Sequence, residues 1–292
     1  MKSFSEKIVP VTSILIAIVI GWYLLAMAMN APFQRDMNKR ADVSPGTVEF
    51  LQSTLAQAKP IVPAPHQVLT NVYENTFLRK ITSNRSLVYH AGVTLSSTLL
   101  GFTFGTILGV LIAVGIVHVA ALDRSLMPWI IASQTIPILA IAPMIIVVLA
   151  AVNITGLLPK ALISTYLSFF PVAVGMVKGL RSPELMHLDL MHTYNATSAQ
   201  VFWKLRVPAS VPFLFASMKV AIAASLVGAI VGELPTGAVA GIGAKLLNAS
   251  YFSNTIDMWA ALVAGSVVAL LLVGLVGVVS RVVERAMGAR PA

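Results

Sequence analysis

Few side chains in this sequence can do chemistry, and those that can are mostly set among apolar neighbours. Glu233 is the one acid inside an apolar run. An ionisable group in such a run is by default functional, although beside Leu234-Pro235 it can also reach water or cap a neighbouring loop. Ser133, Gln134 and Thr135 stand together in "ASQTIP" (132–137). Carbonyls freed near a proline can line a cavity, so this patch is expected at a mid-membrane kink where it could line a passage. Ser164 and Ser168, one helical turn apart, and Ser225 could face the same passage. The alternative for each is a hydroxyl bonded to its own i−4 carbonyl. His90, His118, His187 and His192 lie at or beyond the ends of apolar runs and make no metal-ligand set. With 0 cysteines there is neither a disulfide framework nor a thiolate site. No G-x-x-x-x-G-K-[ST] loop occurs, so this chain does not itself hydrolyse ATP. No Ser/His/Asp set or facing carboxylate pair offers a basis for an enzyme.

The elements that must position these residues are membrane helices. The chain of 292 residues is 57% hydrophobic and 11% charged, against a charged share of about 25% in soluble domains. Apolar runs fall at 8–29, 91–117, 125–158, 161–177, 207–232 and 258–280, the fifth interrupted only by Lys219. About 20 helical residues cross a bilayer, so these are read as 6 spans. The run from Ser125 is expected to be one helix to about Val152, kinked at mid-membrane by Pro128, Pro137 and Pro143 and followed by a turn at Asn153–Gly156. A membrane barrel would need alternating polarity, which is absent. The fold class is therefore all-α and polytopic. Gly101, Gly105 and Gly109 form a smooth stripe at i+4 spacing, repeated by Gly175 and Gly179 and by Gly228 and Gly232; small residues so spaced let helices approach closely. The Ile8–Met29 run exceeds the about 7–15 apolar residues of a secretory signal, so the first helix is expected to be retained.

The net charge of +9 has no basic stripe interleaved with aromatics, as a nucleic-acid face would. Its cause is topological. Basic residues collect in short cytoplasmic loops. With both termini inside, Lys2, Lys7, Arg124, Lys178, Arg181, Lys204, Arg206, Arg281, Arg285 and Arg290 face the cytoplasm, while the outer loop at 233–257 holds only Lys245. The expected parts are an N-terminal transmembrane helix (1–30), a periplasmic segment with short surface helices (31–86), and a five-helix core (87–292) that includes a cytoplasmic loop at 181–208. Within the outer segment, helical spacing at 47–58 and 68–78 flanks an extended "PIVPAPHQVL".

The loop contains "DLMHTYNATSAQVFWKLRVP" (189–208), the longest stretch of mixed polarity in the second half of the chain. Asp189 is expected to begin a helical turn. Asn195, tolerant of positive φ, interrupts it, and Pro208 opens the next span where its missing N–H costs nothing. The stretch resembles the coupling loop of inner-membrane permeases of bacterial ATP-binding-cassette (ABC) importers. That loop carries Glu-Ala-Ala, three residues, a Gly, nine residues and Ile-x-Leu-Pro. Here the spacing is kept by Asp189-Leu190-Met191, Asn195 and Leu205-Arg206-Val207-Pro208. "PAPHQVL" (63–69), "HAGVTLSSTLLGFTFGTILGVLIAV" (90–114), "LRSPELMHLDL" (180–190) and "GIG" (241–243) extend the resemblance to the branch that imports nitrate, sulfonates, taurine and pyrimidine-type compounds.

The resemblance implies the type I ABC importer permease fold: six transmembrane helices with a cytoplasmic coupling helix. Asp189, Tyr194, Asn195, Ala196, Phe202, Trp203, Leu205, Val207 and Pro208 would then couple to a separate ATPase. It further implies a homodimer of permeases, a cytoplasmic ABC ATPase dimer that holds the ATP and Mg, and a periplasmic substrate-binding protein, with no cofactor on this chain. "GELPTGAVAGIGAKLL" (232–247) is most similar to permeases for pyrimidine-type compounds, and the absence of Lys or Arg from the polar patch favours a neutral planar solute. Nitrate, a sulfonate or taurine is the rival cargo. The rival class is an ion-gradient-driven secondary transporter, which would show paired ionisable residues and broken helices repeated in two halves.

Overall fold

A computed structural model describes residues 2–235, 238 and 240–288. Arg290, counted above among the cytoplasmic cations, and Thr236, Gly237 and Val239 of the 232–247 stretch lie outside the described residues. The described residues form helices α1 (Lys2–Arg40), α2 (Thr47–Leu55), α3 (Pro65–Tyr73), α4 (Leu87–His118), α5 (Ala120–Ser133), α6 (Ile138–Ala151), α7 (Leu157–Leu180), α8 (Leu185–Thr193), α9 (Ser198–Val201), α10 (Val207–Glu233), α11 (Ile242–Tyr251) and α12 (Thr255–Ala286). No strand occurs among them. Five segments are long and apolar enough to cross a membrane, and α5 with α6 makes a sixth if that bent pair is one span.

The run from Ser125 departs from the single helix expected. It divides into α5 and α6, bent by 98°, and α5 starts at Ala120 rather than at Ser125. Pro137 supplies no N–H to the carbonyl of Ser133, and that carbonyl accepts the Tyr166 hydroxyl instead. The last turn tightens to i+3 bonds, Gln134 N–H to Ile131 at 3.1 Å and Thr135 N–H to Ala132 at 3.0 Å.

The chain forms two compact units. The first comprises Met1–Tyr89 and Lys245–Ala264. Here α1 runs past the expected end of the span, through Pro32 to Arg40, and most of its apolar side chains between Val9 and Leu25 are exposed, as lipid-facing positions would be. The proline-rich segment after α2 cannot pair its own backbone, so side chains do it. Buried Asn30 accepts from Ile61 and Val62 N–H and donates to the Val62 carbonyl at 2.8 Å. Trp22 Nε1 donates to Pro63 O at 3.0 Å, with its ring 4.9 Å from that of Trp259. Asn71 and Asn254 both donate to the Asp257 carboxylate at 2.9 Å.

The second unit comprises His90–Ala244 and Gly265–Ala292. In lipid, helices gain little from burying apolar surface and associate by close packing, and the glycine stripes supply it. A Cβ at Gly109 of α4 would lie 2.9 Å from Val172 Cβ of α7; at Gly179 of α7, 2.9 Å from Phe213 Cβ of α10; at Gly228 of α10, 2.8 Å from Ser164 Cα. The α7–α10 pair is thus locked along its length. Ala113, Ile116, Ile130, Met176, Val177 and Leu180 fill the core at one end of it.

Candidate functional site: the loop between α7 and α10

The loop begins where α7 ends at Leu180. Helix α8 starts at Leu185, with extended Glu184 before it (ψ 151°). Asp189 therefore sits in mid-helix instead of opening a turn, because Pro183 and Glu184 already set the helix start four residues earlier. Asn195 takes φ 49°. Around it Asn195 N–H bonds the His192 carbonyl at 2.9 Å and Ala196 N–H bonds Met191 at 3.0 Å, the paired closure of a Schellman motif. Tyr194 is the C-cap. Thr197 and Gln200 then cap α9 reciprocally, at 3.3 Å and 2.9 Å.

From Ser198 the helix continues to Glu233. The join is a π turn over Phe202–Arg206, in which Val207 N–H bonds the Phe202 carbonyl. That wider turn absorbs Pro208, whose ring would clash with the carbonyl four residues back in a regular helix. Phe202 packs edge-on against His118 of α4 (4.8 Å) and against Trp203 (5.1 Å). Arg206 Nη1 donates to the Leu180 carbonyl at 3.3 Å, and Arg181 pairs with Asp123 at 2.9 Å. The loop is a braced rod.

Its outward surface is apolar. Leu185, Met186, Leu190, Tyr194 and Trp203 are exposed by 52–78%, while Leu205, Val207 and Pro208 are half-buried at the root of α10. Sequence reasoning named Tyr194 and Trp203 and missed Leu185, Met186 and Leu190. The available signal was that these three stand between Arg181, Glu184 and Asp189, which mark the segment as lying outside the spans. Under the rod lies a cavity of about 340 Å³ lined by His118, Leu188, His192, Phe202 and Arg206 among others.

The polar patch lies at the α5–α6 break, with Ser133 half-buried and Gln134 and Thr135 exposed. The hydroxyls of Ser133 and Thr135 turn back to the Ile130 and Ala132 carbonyls at 2.7 and 2.8 Å. Ser164, Ser168 and Ser225 are 0% exposed. Ser168 bonds the i−4 carbonyl of Ser164 at 2.8 Å and Gly101 O at 3.2 Å, and Ser225 bonds Thr98 O at 2.8 Å. These three sit in the seams among α4, α7 and α10. Glu233, also 0% exposed, accepts from Thr94 of α4. Lys219, mid-way along α10 and half-buried, extends toward Gly277 of α12, its Cε 3.8 Å from where a Cβ would stand. It was read only as an interruption of a span.

A family model described as "Binding-protein-dependent transport system inner membrane component" matches residues 105–289. The formylaminopyrimidine transport permease protein ThiX of Halalkalibacterium halodurans is 29% identical over 184 residues, covering 63% of this chain and 68% of that protein. The riboflavin transport system permease protein RibX of Chloroflexus aurantiacus is 29% identical, covering 77% and 80%. The nitrate import permease protein NrtB of Leptolyngbya laminosa is 27% identical, covering 75% and 78%. Among solved structures, the inward-facing MetNI methionine ABC transporter matches with a TM-score of 0.51 at 18% identity, covering 76% of this chain and 96% of that one; this likeness shows a shared fold.

Proposed function

This chain belongs to the family of binding-protein-dependent transport system inner membrane components, as a multi-pass permease subunit of an ABC importer for small solutes, and we propose that it moves a neutral, planar, pyrimidine-type compound inward. The observation that carries the transport mechanism is the braced loop at 181–208 with its exposed apolar face. A rigid rod seated in a groove of a separate ATPase transmits closure of the ATPase dimer as a rocking of α7 and α10, which are locked to each other, so the permease alternates between outward and inward opening. ATP and Mg are held by that partner. Two permease copies, two ATPase copies and a periplasmic binding protein complete the assembly, with both termini of this chain in the cytoplasm.

Support for the cargo comes from relatives named for formylaminopyrimidine and riboflavin, both planar nitrogen heterocycles, and from the uncharged patch at 133–135. A second reading, import of an oxyanion, is favoured by Lys219 and by the nitrate permease relative. An uptake assay in proteoliposomes holding the permease, its ATPase and its binding protein separates the two. Pyrimidine uptake that survives Lys219→Met supports the first; nitrate or sulfonate uptake lost in that variant supports the second. Uptake without ATP, driven by an ion gradient, would overturn both.

A further inference from the structure

The connection from α10 to α11 ends in Gly241-Ile242-Gly243. The first N–H groups of a helix have no carbonyl of their own to bond, and here three in a row are taken by side chains from other helices. Gly241 N–H donates to His90 Nδ1 at 3.0 Å, Ile242 N–H to Thr94 Oγ1 at 2.8 Å, and Gly243 N–H to Glu233 Oε2 at 2.8 Å. The Thr94 hydroxyl donates to the carboxylate, at 2.9 and 3.0 Å from its two oxygens. His90 is 4% exposed, Thr94 and Glu233 0%. His90 and Thr94 are one turn apart and so share a face of α4. Both glycines are required by this arrangement. Gly241 has φ 128° and a Cβ there would strike the Glu233 carboxylate, while a Cβ at Gly243 would lie 2.9 Å from Glu233 Cβ.

The chemistry of the set is one-sided. Because Nδ1 of His90 accepts, the ring proton is on Nε2. An imidazolium carries N–H on both nitrogens and would oppose one N–H to another at Gly241. We propose that His90, Thr94 and Glu233 form a latch that holds the Gly241–Gly243 start of α11 in place while His90 is neutral and releases it when His90 takes a proton. The latched state binds fewer protons than the released one, so latching is favoured at high pH and weakens as His90 takes a proton.

The charges around the set are few. Glu233 comes from α10, and Lys160 of α7 is the cation acting on it. No other ionisable residue occurs in α4 between His90 and His118. Lys245 of α11 donates to the Arg85 carbonyl at 3.1 Å, and Asp257 of α12 is held by Asn71 and Asn254. His90 and Glu233 are the two ionisable members of the set, and replacing His90 alone separates their contributions.

The inference rests on the orientation proposed above, with the Glu233 end of α10 outside. The chain has 0 cysteines, so single reporters can be placed at Ala238, in the turn, and at Tyr251, 77% exposed. Both are labelled with a membrane-impermeant maleimide in intact cells, and the Ala238→Cys rate is divided by the Tyr251→Cys rate to remove the reagent's own pH dependence. The ratio is expected to rise about tenfold between about pH 8 and about pH 5.5. Adding His90→Asn, which offers a non-titrating acceptor, holds the ratio low at both pH values; Thr94→Val raises it at both, and Thr94→Ser restores the native response. A ratio that does not change with pH, or that changes equally with His90→Asn, overturns the latch while leaving the transport reading standing. Labelling of both positions only by a permeant maleimide overturns the orientation, and the latch with it.

Discussion

The loop between α7 and α10 and the turn between α10 and α11 end the same helix, yet they are held in opposite ways. The first closes on itself. Its bonds at Asn195, Ala196 and Thr197 join residues within five positions of each other, and its large apolar side chains are left exposed. The second has no comparable local closure at Gly241 and Ile242, whose N–H groups reach partners 151 and 148 residues away, inside the protein. A connection braced locally can offer its surface to another molecule. A connection braced by buried side chains of its neighbours reports instead on how those helices are arranged.

Substitutions at the α10–α11 turn should therefore strike folding, and those on the α7–α10 loop should strike assembly. The largest effect is expected at Gly241. Gly241→Ala adds backbone strain and a clash with the Glu233 carboxylate, costing about 3 kcal/mol or more, read as a lower Tm in detergent and lost uptake. An unchanged Tm would mean that the turn can be rebuilt without its latch.

Thr94→Val comes next, at about 1–3 kcal/mol, because it leaves the Ile242 N–H and a carboxylate oxygen without their shared partner. Ser164→Ala is the control that sharpens this: the Ser164 hydroxyl is buried without a hydrogen-bond partner, so its removal should leave Tm unchanged or raise it. Equal losses at Thr94 and Ser164 would reduce the latch to ordinary packing.

On the inner loop, Asn195→Ala should cost about 1 kcal/mol, since only the left-handed backbone there is disfavoured, while Asn195→Gly should be nearly neutral. The smallest effect on Tm, within about 0.5 kcal/mol, is expected of the double change Met186→Ser and Tyr194→Ser, whose side chains touch solvent. The same protein should lose at least tenfold of its copurifying ATPase, because deleting exposed anchors removes binding without removing packing. Retained ATPase would refute the inner loop as the coupling surface.

Much of the inner loop was legible because its rules are local. An asparagine at the break and a proline after it have preferences that act within one or two turns, and φ 49° at Asn195 is that preference realised. The same device ends other helices at Asp42, Asn153 and Ser253 with positive φ. The misreadings arose where two local signals competed. The Ser125 run looked like one helix because its composition is uniformly apolar, whereas the prolines divide it at Gln134–Pro137. Helix α1 passes Pro32 because a proline removes one bond in a helix that has many others.

The latch was not legible. His90 was read as interfacial and Glu233 as either functional or capping, since neither residue names its partner. Lys219 posed the same difficulty: its direction depends on where α12 lies, and Gly277 opens that space.

By itself, then, the sequence determined how many apolar segments there are and where most helices can break, because hydropathy, proline and left-handed asparagine act over a few residues. Only the tertiary structure decided which helices meet along the glycine stripes and which side chains close the outer turn. Most of those pairings join residues far apart in the chain, 34 positions for Gly179 and Phe213 and 151 for Gly241 and His90, and only the packing of α4, α7 and α10 brings them into contact.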